Sequence, residues 1–448
     1  MTPLPRLLRW SALADGEREA VLARPAAPAD PRLESRVRDI MRDVRQHGDA
    51  ALLRLEAELD GAELDSVEVS GEEIEAAAEQ LTSAQRAAIR TALENIRACH
   101  AAQRPKDVRV QPAPGIVCEQ RHRPLQVVGL YVPAGIAPLP STALMLAAPA
   151  QLADCPLRVL STPPDRDGRA NPAVLHVAQL CEVHQVFKLG GAQAIAAMAY
   201  GTESVPRVDK LFGPGSRWVA AAKQQAAMEP GGPAQDLPAG PTEAMVIADA
   251  GAQPLFVALD LLSQAEHGED AHVLLLCLDT GLAEKVQEEI ANQLRALPRR
   301  DVAEKSLSSG ALLIVDSLET AVDVANRYAP EHLLLHVAEP RALLAGISHA
   351  GAVFLGPWSP ESSGDYCNGA NHVLPTYGSA RWASGLSLAD FHKRISVQEL
   401  TREGLGSIAE AIATLARLEG LEAHARAAEA RRASMTANGA QEQKKHEL

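Results

Sequence analysis

Apolar and charged positions alternate at helical spacing from residue 31 to 105, as in RVRDIMRDVRQHGDAALLRLEAEL, with Gly48 as a break. Apolar residues recurring three and four apart line one face of a helix, so this stretch predicts an N-terminal helical region. From about residue 125 the pattern changes. QVVGLYVP, LRVLST, QVFKLGG and DKLFGPG read as strands, and STALMLAAPAQLA, PAVLHVAQLC, AIAAMAYG and RWVAAAKQQAAM read as the helices between and after them. Strands alternating with helices imply parallel βαβ units covered on both faces. PAGP at 238–241 marks a turn, and the alternation then restarts. AMVIAD, HVLLLCLD, ALLIVD, HLLLHV and AVFLG are its strands; LFVALDLLSQAEHG, AEKVQEEIANQLRAL, LETAVDVANRYA and RALLAGIS are its helices. Beyond about residue 380 the pattern reads as purely helical, in IAEAIATLARLEGLEAHARAAEARRA, and the polar stretch that closes the chain reads as a frayed end.

The expected fold class is therefore α/β: two Rossmann-like domains with parallel-stranded sheets flanked by helices, plus small N- and C-terminal helical pieces. A chain of 448 residues suits that reading, because single hydrophobic cores stop growing well below this length. With only 3% aromatic residues in a 46% apolar chain, Ala, Leu and Val must build most of the core. A net charge of −14 without a concentrated basic face argues against a nucleic-acid partner. No uncharged apolar run approaches membrane-spanning length, and the N-terminus carries charges where a signal peptide needs a continuous apolar segment. Cys99, Cys118, Cys155, Cys181, Cys277 and Cys367 form no CxxC, and several sit in apolar runs. Such spacing suits free thiols in a reducing cytoplasm.

Candidate chemistry gathers at the ends of apolar runs. Gln264 and His267, at the close of LDLLSQAEHG, are three apart and share a helix face, a common way to begin a metal site. A surface His near a helix C-terminus is the plainer reading of the same residues. Glu331 and His332 follow Pro330 at the start of a strand, where both can serve one site before the alternation of side chains sets in. A carboxyl beside an imidazole supplies two proton-transfer groups, although an ordinary ion pair looks the same in sequence. Asp365 and His372 lie in the loop GDYCNGANHVLPT, whose Asp and Asn also serve as turn formers. His424 stands among Glu419 and Glu422 on a helix. LGGAQAI at 189–195 and FGPGSRW at 212–218 follow strands and open helices, so the N–H groups of either could cradle a phosphate, yet neither is GxGxxG.

Taken in order, GLYVPAG, APLPSTALM, LGGAQAIAA, YGTESVPRVDK, PAGP, DLLSQAEHG, YAPEHL, GDYCNGANHVLPTYG and SVQELTREGL resemble the L-histidinol dehydrogenase family from about residue 30 to 430. The resemblance implies a cytoplasmic homodimer with one zinc ion per subunit that takes L-histidinol through bound L-histidinal to L-histidine, reducing two NAD in succession. It implies zinc ligands at Gln264, His267, Asp365 and His424, with the substrate's amine and imidazole nitrogens completing the shell. Glu331 and His332 take the acid–base roles, and Thr242, His372 and Glu419 join them around the substrate. His424 and Glu419 would come from the partner chain, and Tyr131, Gln193 and Ser216 would contact NAD. The domains implied are an N-terminal segment at 1–25 packing with the tail and a discontinuous large α/β domain at 26–130 and 244–380. A second α/β domain that binds NAD spans 131–243, and a helical tail at 381–448 is swapped onto the partner.

Three positions depart from the family pattern. Ser216 stands where Asn is usual, Thr242 where Ser is usual, and Ala370 where Pro or Thr precedes Asn371-His372. Two other functions share the scaffold. One is a related zinc- and NAD-dependent dehydrogenase of another small alcohol, against which Glu419 speaks because the family uses it to meet histidinol. The other is a non-catalytic homologue, which would have lost ligands or the base; here none is lost.

Overall fold

The computed structural model describes residues 4–25, 30–134, 138–237 and 240–446, with side chains as far as 434. The first two residues of the PAGP turn expected at 238–241 lie outside the described residues. The chain forms two compact units, Met1–Gln103 with Leu125–Phe391 and Arg104–Pro124 with His392–Leu448. In chain order the strands begin with β1 (Arg6–Arg9), β2 (Val108–Ala113), β3 (Ile116–Pro124), β4 (Val127–Tyr131), β5 (Leu157–Thr162), β6 (Gln185–Lys188) and β7 (Lys210–Phe212). They continue with β8 (Ala234–Gln235), β9 (Glu243–Ala248), β10 (His272–Cys277), β11 (Ala311–Ile314), β12 (His332–His336), β13 (Ala352–Leu355) and β14 (His392–Leu400).

The first unit holds two parallel sheets. One is six-stranded in the order β1-β11-β10-β9-β12-β13, and the other five-stranded in the order β6-β5-β4-β7-β8. EAMVIA, HVLLLC, ALLI and HLLLH are buried along their whole length, as strands covered by helices on both faces must be. Leaving the edge strand β1 aside, each sheet reverses its strand order once, between β9 and β12 in the first and between β4 and β7 in the second. Those reversals are where a doubly wound sheet opens a crevice. The expected α/β architecture with parallel sheets flanked by helices is what the chain adopts.

Three features differ from the sequence reading. The helices of residues 31–101 pack on the five-stranded sheet, not on the six-stranded one, with Val373 of the 244–380 block joining their core. Val37, Ile40, Val44 and Leu52 pack with Val159, Ile195 and Met198, and Ile89, Leu93 and Ile96 pack with Met145, Leu146 and Leu175, so both groups cover the five-stranded sheet. A hydrophobic stripe announces that a helix is buried but not which sheet it meets. The N-terminal segment, expected to pack with the tail, puts Arg6–Arg9 into the six-stranded sheet as an edge strand beside β11. The region beyond 380 is not purely helical either. β14 pairs antiparallel with β3, which pairs with β2, before the helices Arg402–Leu418 and Glu422–His446. HKRISVQEL is half exposed to fully exposed along its length, so it lacks the apolar run that marks a buried strand.

The break expected at Gly48 is present. Its φ of 52° kinks the helix Pro31–Leu55, and an added Cβ would strike the Glu203 carboxylate. The six cysteines are free, and no helix among the described residues is long and apolar enough to cross a membrane.

Gly213, just after β7, has φ +116°, and a Cβ there would run into the Tyr131 carbonyl oxygen and stand 3.0 Å from Leu146. We expect Gly213→Ala to lower stability by about 2–5 kcal/mol through combined backbone strain and overpacking. Gly16→Ala, in open space on the helix Asp15–Leu22, should be neutral to stabilising by up to about 1 kcal/mol. Thermal unfolding of the two variants checks this, and equal melting temperatures would contradict it.

Candidate active site

The amino ends of two adjacent parallel strands build the centre of the site. Glu243 is the first residue of β9 and His332 the first of β12, and His332 lies in register with Ala244. The helix Leu318–Tyr328 ends at Ala329, held in the left-handed region at φ 56°, and Pro330 then turns the chain into the sheet. Glu331 therefore sits just before the strand begins, and both it and His332 reach the same backbone unit. Glu331 Oε2 accepts from Thr242 Oγ1 at 2.6 Å and from the Glu243 N–H at 2.9 Å. His332 Nδ1 lies 3.0 Å from the Glu243 carbonyl oxygen. A carbonyl only accepts, so Nδ1 carries a hydrogen, and in the neutral ring it is Nε2 that holds the lone pair. That bare nitrogen stands 3.9 Å from Glu361 Oε1, and Glu331 Oε2 is 3.6 Å from His332 Nδ1.

Glu331 and His332 are buried. Burial pushes the Glu331 carboxyl up to about 8, with the charges of Glu243 and Asp365 adding to it against the two hydrogen bonds. A carboxylic acid that keeps its proton near neutrality can both give and take one during a reaction.

Two helices bring the remaining polar groups. The helix Pro254–Ala265 presents Gln264, and His267 follows in the turn that closes it. The short helix Glu361–Tyr366 presents Glu361 and Asp365 one turn apart. Donor atoms of His267, Glu361 and Asp365 all lie within 4.8 Å of one another. Burial would raise the Asp365 carboxyl, but the hydrogen bond from His267 and the His372, His332 and His267 imidazoles pull it down to about 2. The same contact raises the His267 imidazole. Glu361 is pushed up to about 7 by burial and by the Asp365 charge.

Two buried oxygens, Gln264 Oε1 and Glu361 Oε1, have no hydrogen-bond partner among the described residues. Unmet oxygen acceptors beside an imidazole and a carboxylate form a donor set that suits a divalent cation such as zinc. The Gln264 amide N–H donates to Thr242 Oγ1, which leaves its oxygen as the ligand atom and links it through one hydroxyl to Glu331. Glu361 and Glu243 escaped the sequence reading. Glu361 stands four residues before Asp365 in ESSGDY, a helical spacing that could have shown it; Glu243 acts through its backbone, which no residue pattern reveals.

The other expected site residues fall in three places. His372 is tied within the protein, its Nδ1–H to the Asp365 carbonyl at 2.9 Å and its Nε2 to Thr142 Oγ1 at 3.3 Å, so it anchors the Asp365 backbone. Burial lowers the His372 imidazole. Glu419, at the end of the helix Arg402–Leu418, and His424, in the first turn of the helix after it, belong to the second unit. Of the residues assigned to the cofactor, Ser216 lines a cavity of about 760 Å³ together with Pro133, Arg217, His267, Arg299 and Tyr377. Its hydroxyl makes no cap to the helix Arg217–Met228.

Tyr131 and Gln193 are buried and are not among the residues that line this cavity. The Tyr131 hydroxyl accepts from the Gly191 N–H at 3.1 Å, and Gln193 donates to Glu56 at 2.9 Å and to Asp60 at 3.0 Å. The Gly190 N–H also donates to Glu56, at 3.0 Å. This corrects one expectation: the turn at 189–195 is no free phosphate cradle, because an internal carboxyl already fills it. Burial and the nearby Asp60 push that Glu56 carboxyl up to about 8.

The family model described as histidinol dehydrogenase matches residues 23–432. The chain belongs to the histidinol dehydrogenase family. It is 52% identical over 422 residues to a histidinol dehydrogenase of Xanthomonas euvesicatoria pv. vesicatoria, covering 94% of this chain and 98% of that one. With the histidinol dehydrogenase of Photobacterium profundum it shares 48% over 418 residues, covering 93% and 94%. The crystal structure of histidinol dehydrogenase from Elizabethkingia anophelis superposes with a TM-score of 0.93 at 40% identity, covering 97% of this chain and 99% of that one. Membership of the histidinol dehydrogenase family makes this chain an oxidoreductase.

The raised Glu331 carboxyl carries a stability signature. The folded protein holds that proton up to about pH 8, against an ordinary value of 4.5, so ionisation favours the unfolded chain as pH rises between the two. Glu331→Gln keeps an oxygen to accept from Thr242 and Glu243 and cannot ionise. It should match the wild type near pH 5 and exceed it at pH 8, by up to about 4 kcal/mol. Urea unfolding at the two pH values measures the difference, and a gap that does not widen with pH would contradict the raised value.

Proposed function

We propose that this enzyme oxidises L-histidinol to L-histidine in two steps through bound L-histidinal, reducing two NAD in succession, as a cytoplasmic homodimer with zinc in each site. The observation that carries this reading is the pairing of a bare, buried imidazole nitrogen on His332 with a protonated carboxyl on Glu331, beside the donor set of Gln264, His267 and Asp365. Family membership supplies the substrate.

In the first oxidation His332 Nε2 takes the proton of the substrate hydroxyl as the hydride leaves carbon. The Glu243 carbonyl holds the ring in the tautomer this requires. Before the second, Glu331 releases its own proton to solvent, and Thr242 Oγ1 and the Glu243 N–H stabilise the carboxylate left behind; that carboxylate then takes a proton from the water that adds to the aldehyde and returns to the neutral acid. Zinc, held by Gln264, His267, Asp365 and the partner's His424, would bind the amine and imidazole nitrogens of the substrate and polarise its reacting end. Glu419 of the partner subunit would face the same ligand, and His372 holds the backbone of the short helix at Asp365. NAD would lie in the cavity at Ser216, over the uncapped helix end, and Tyr131 and Gln193 would be its further contacts. Holding the aldehyde in place spares the second step the entropy of a new encounter.

Purified protein supplied with L-histidinol and excess NAD should form two NADH for each L-histidine. One NADH with aldehyde released, or turnover of other amino alcohols but not of L-histidinol, would sink the proposal.

Replacing the base should affect chemistry rather than binding. His332→Asn is expected to fold and retain zinc while kcat falls by about a hundred- to ten-thousand-fold. A near-normal rate would remove His332 from the base role.

The dimer assignment has its own test. Mixed dimers of a His424→Ala chain with a His267→Ala chain should recover part of the activity, because one of their two sites then holds both ligands intact. Heterodimers verified by mass that stay inactive would contradict a ligand contributed across subunits.

A further inference from the structure

The acid–base pair owes its geometry to Glu243, yet only the backbone of Glu243 touches it. The N–H of that residue holds Glu331 and its carbonyl holds His332, so a shift of this one residue, through the two peptide planes that flank its Cα, moves both proton-transfer groups together. The Glu243 side chain points elsewhere, into an ion pair with Arg24 that no feature of the sequence pattern announced. Arg24 Nη2 lies 2.8 Å from Glu243 Oε2, and Arg24 Nε pairs with Oε1. The carboxylate is 2% exposed and the guanidinium 19%, so the pair is shielded from water.

The same guanidinium reaches the other strand. Arg24 Nη2 also donates to the Tyr328 carbonyl at 2.8 Å and to the Ala329 carbonyl at 3.3 Å, and the guanidinium lies 3.9 Å over the Tyr328 ring. These carbonyls belong to the last turn of the helix Leu318–Tyr328 and to the left-handed Ala329, two residues before Glu331. A left-handed non-glycine residue persists only where its surroundings over-determine it. Tyr328 is fixed in turn by His272, whose Nδ1 lies 2.8 Å from the Tyr328 hydroxyl. Glu243 Oε1 also accepts from the Tyr377 N–H at 2.7 Å, so the carboxylate is fully engaged.

We propose that Arg24 is a positioning residue for the reaction: by forking between the Glu243 carboxylate and the carbonyls of Tyr328 and Ala329, it fixes the start of β9 against the entry to β12 and so sets the Glu331–His332 geometry. This rests on the reading of Glu331 and His332 as the proton-transfer groups. A flat guanidinium with five N–H donors meets a carboxylate and two carbonyls at once, whereas an ammonium on a flexible stem cannot hold that set in one plane. The contacts bring a side chain from the N-terminal segment into the catalytic geometry without its touching substrate.

The test compares Arg24→Lys, Arg24→Met and Arg24→Gly with the wild type on L-histidinol, alongside zinc content and thermal unfolding. A misplacement near 1 Å costs about a hundredfold, so Arg24→Met should lose about that factor in kcat, with the Michaelis constant for L-histidinol within about threefold. Arg24→Lys keeps the charge but not the fork and should lose about tenfold. Added methylguanidinium should restore part of the Arg24→Gly activity, and ethylammonium should not. A second readout needs no substrate: the side-chain nitrogen spectrum of His332, assigned through His332→Asn, should show one tautomer in the wild type and a mixture in the Arg24 variants.

Wild-type kcat and a single tautomer in folded Arg24→Lys or Arg24→Met would overturn the proposal. A loss of rate that only follows loss of folded protein or of zinc would overturn it too. If Arg24→Met fails to fold, Arg24→Lys decides by the same two readouts. A wild-type enzyme inactive on L-histidinol would count against the proposed function instead, and the tautomer measurement would still judge Arg24.

Discussion

The site depends on a carboxyl group kept from water yet left with two hydrogen bonds. Glu331 can hold its proton to about pH 8 only because the first turn of β12 is buried, and it can give that proton up only because Thr242 and the Glu243 N–H wait for the charge. Asp365, a few side chains away, is held at about 2 by the imidazoles around it. Two carboxyls in one small volume thus have opposite preferences, set by their neighbours and not by their chemistry. That separation requires β9 and β12 to be adjacent and parallel with their amino ends level, as the register of His332 with Ala244 provides. Much of the six-stranded sheet can be understood as the frame that keeps this one register.

The sequence made some of this plain and concealed the rest for definable reasons. Strands buried on both faces, such as HVLLLC and EAMVIA, are legible because no other element of that length is apolar throughout. Gln264 with His267 was visible as a pair one turn apart, and Glu331 with His332 as a pair at a strand's entry. β14 was not visible, since an exposed strand of mostly polar residues has little to distinguish it from a helix surface. Nor was the sheet that the helices of 31–101 would cover, because amphipathicity fixes a face but not a partner. The structural role of Glu243 was out of reach altogether. Its contribution passes through an N–H and a carbonyl that every residue has, and only the fold says which peptide unit stands there.

The two sheets of the first unit use opposite ends. In the five-stranded sheet the reversal between β4 and β7 opens at their carboxyl ends, where Tyr131 closes β4 and Gly213 follows β7. This is the usual side for a ligand in a doubly wound sheet. In the six-stranded sheet the chemistry sits at the amino ends of β9 and β12. The cavity lined by Ser216 and His267 lies where these two ends face each other.

Glu56 gives that arrangement a consequence of its own. An open helix start is an anion's natural berth, and the five-stranded sheet offers two, at Gly190 and at Ser216. The first is occupied permanently by a carboxyl from within the chain. The crevice of that sheet therefore keeps a single helix start without a side-chain cap, at Ser216, and the fold spends the other on itself.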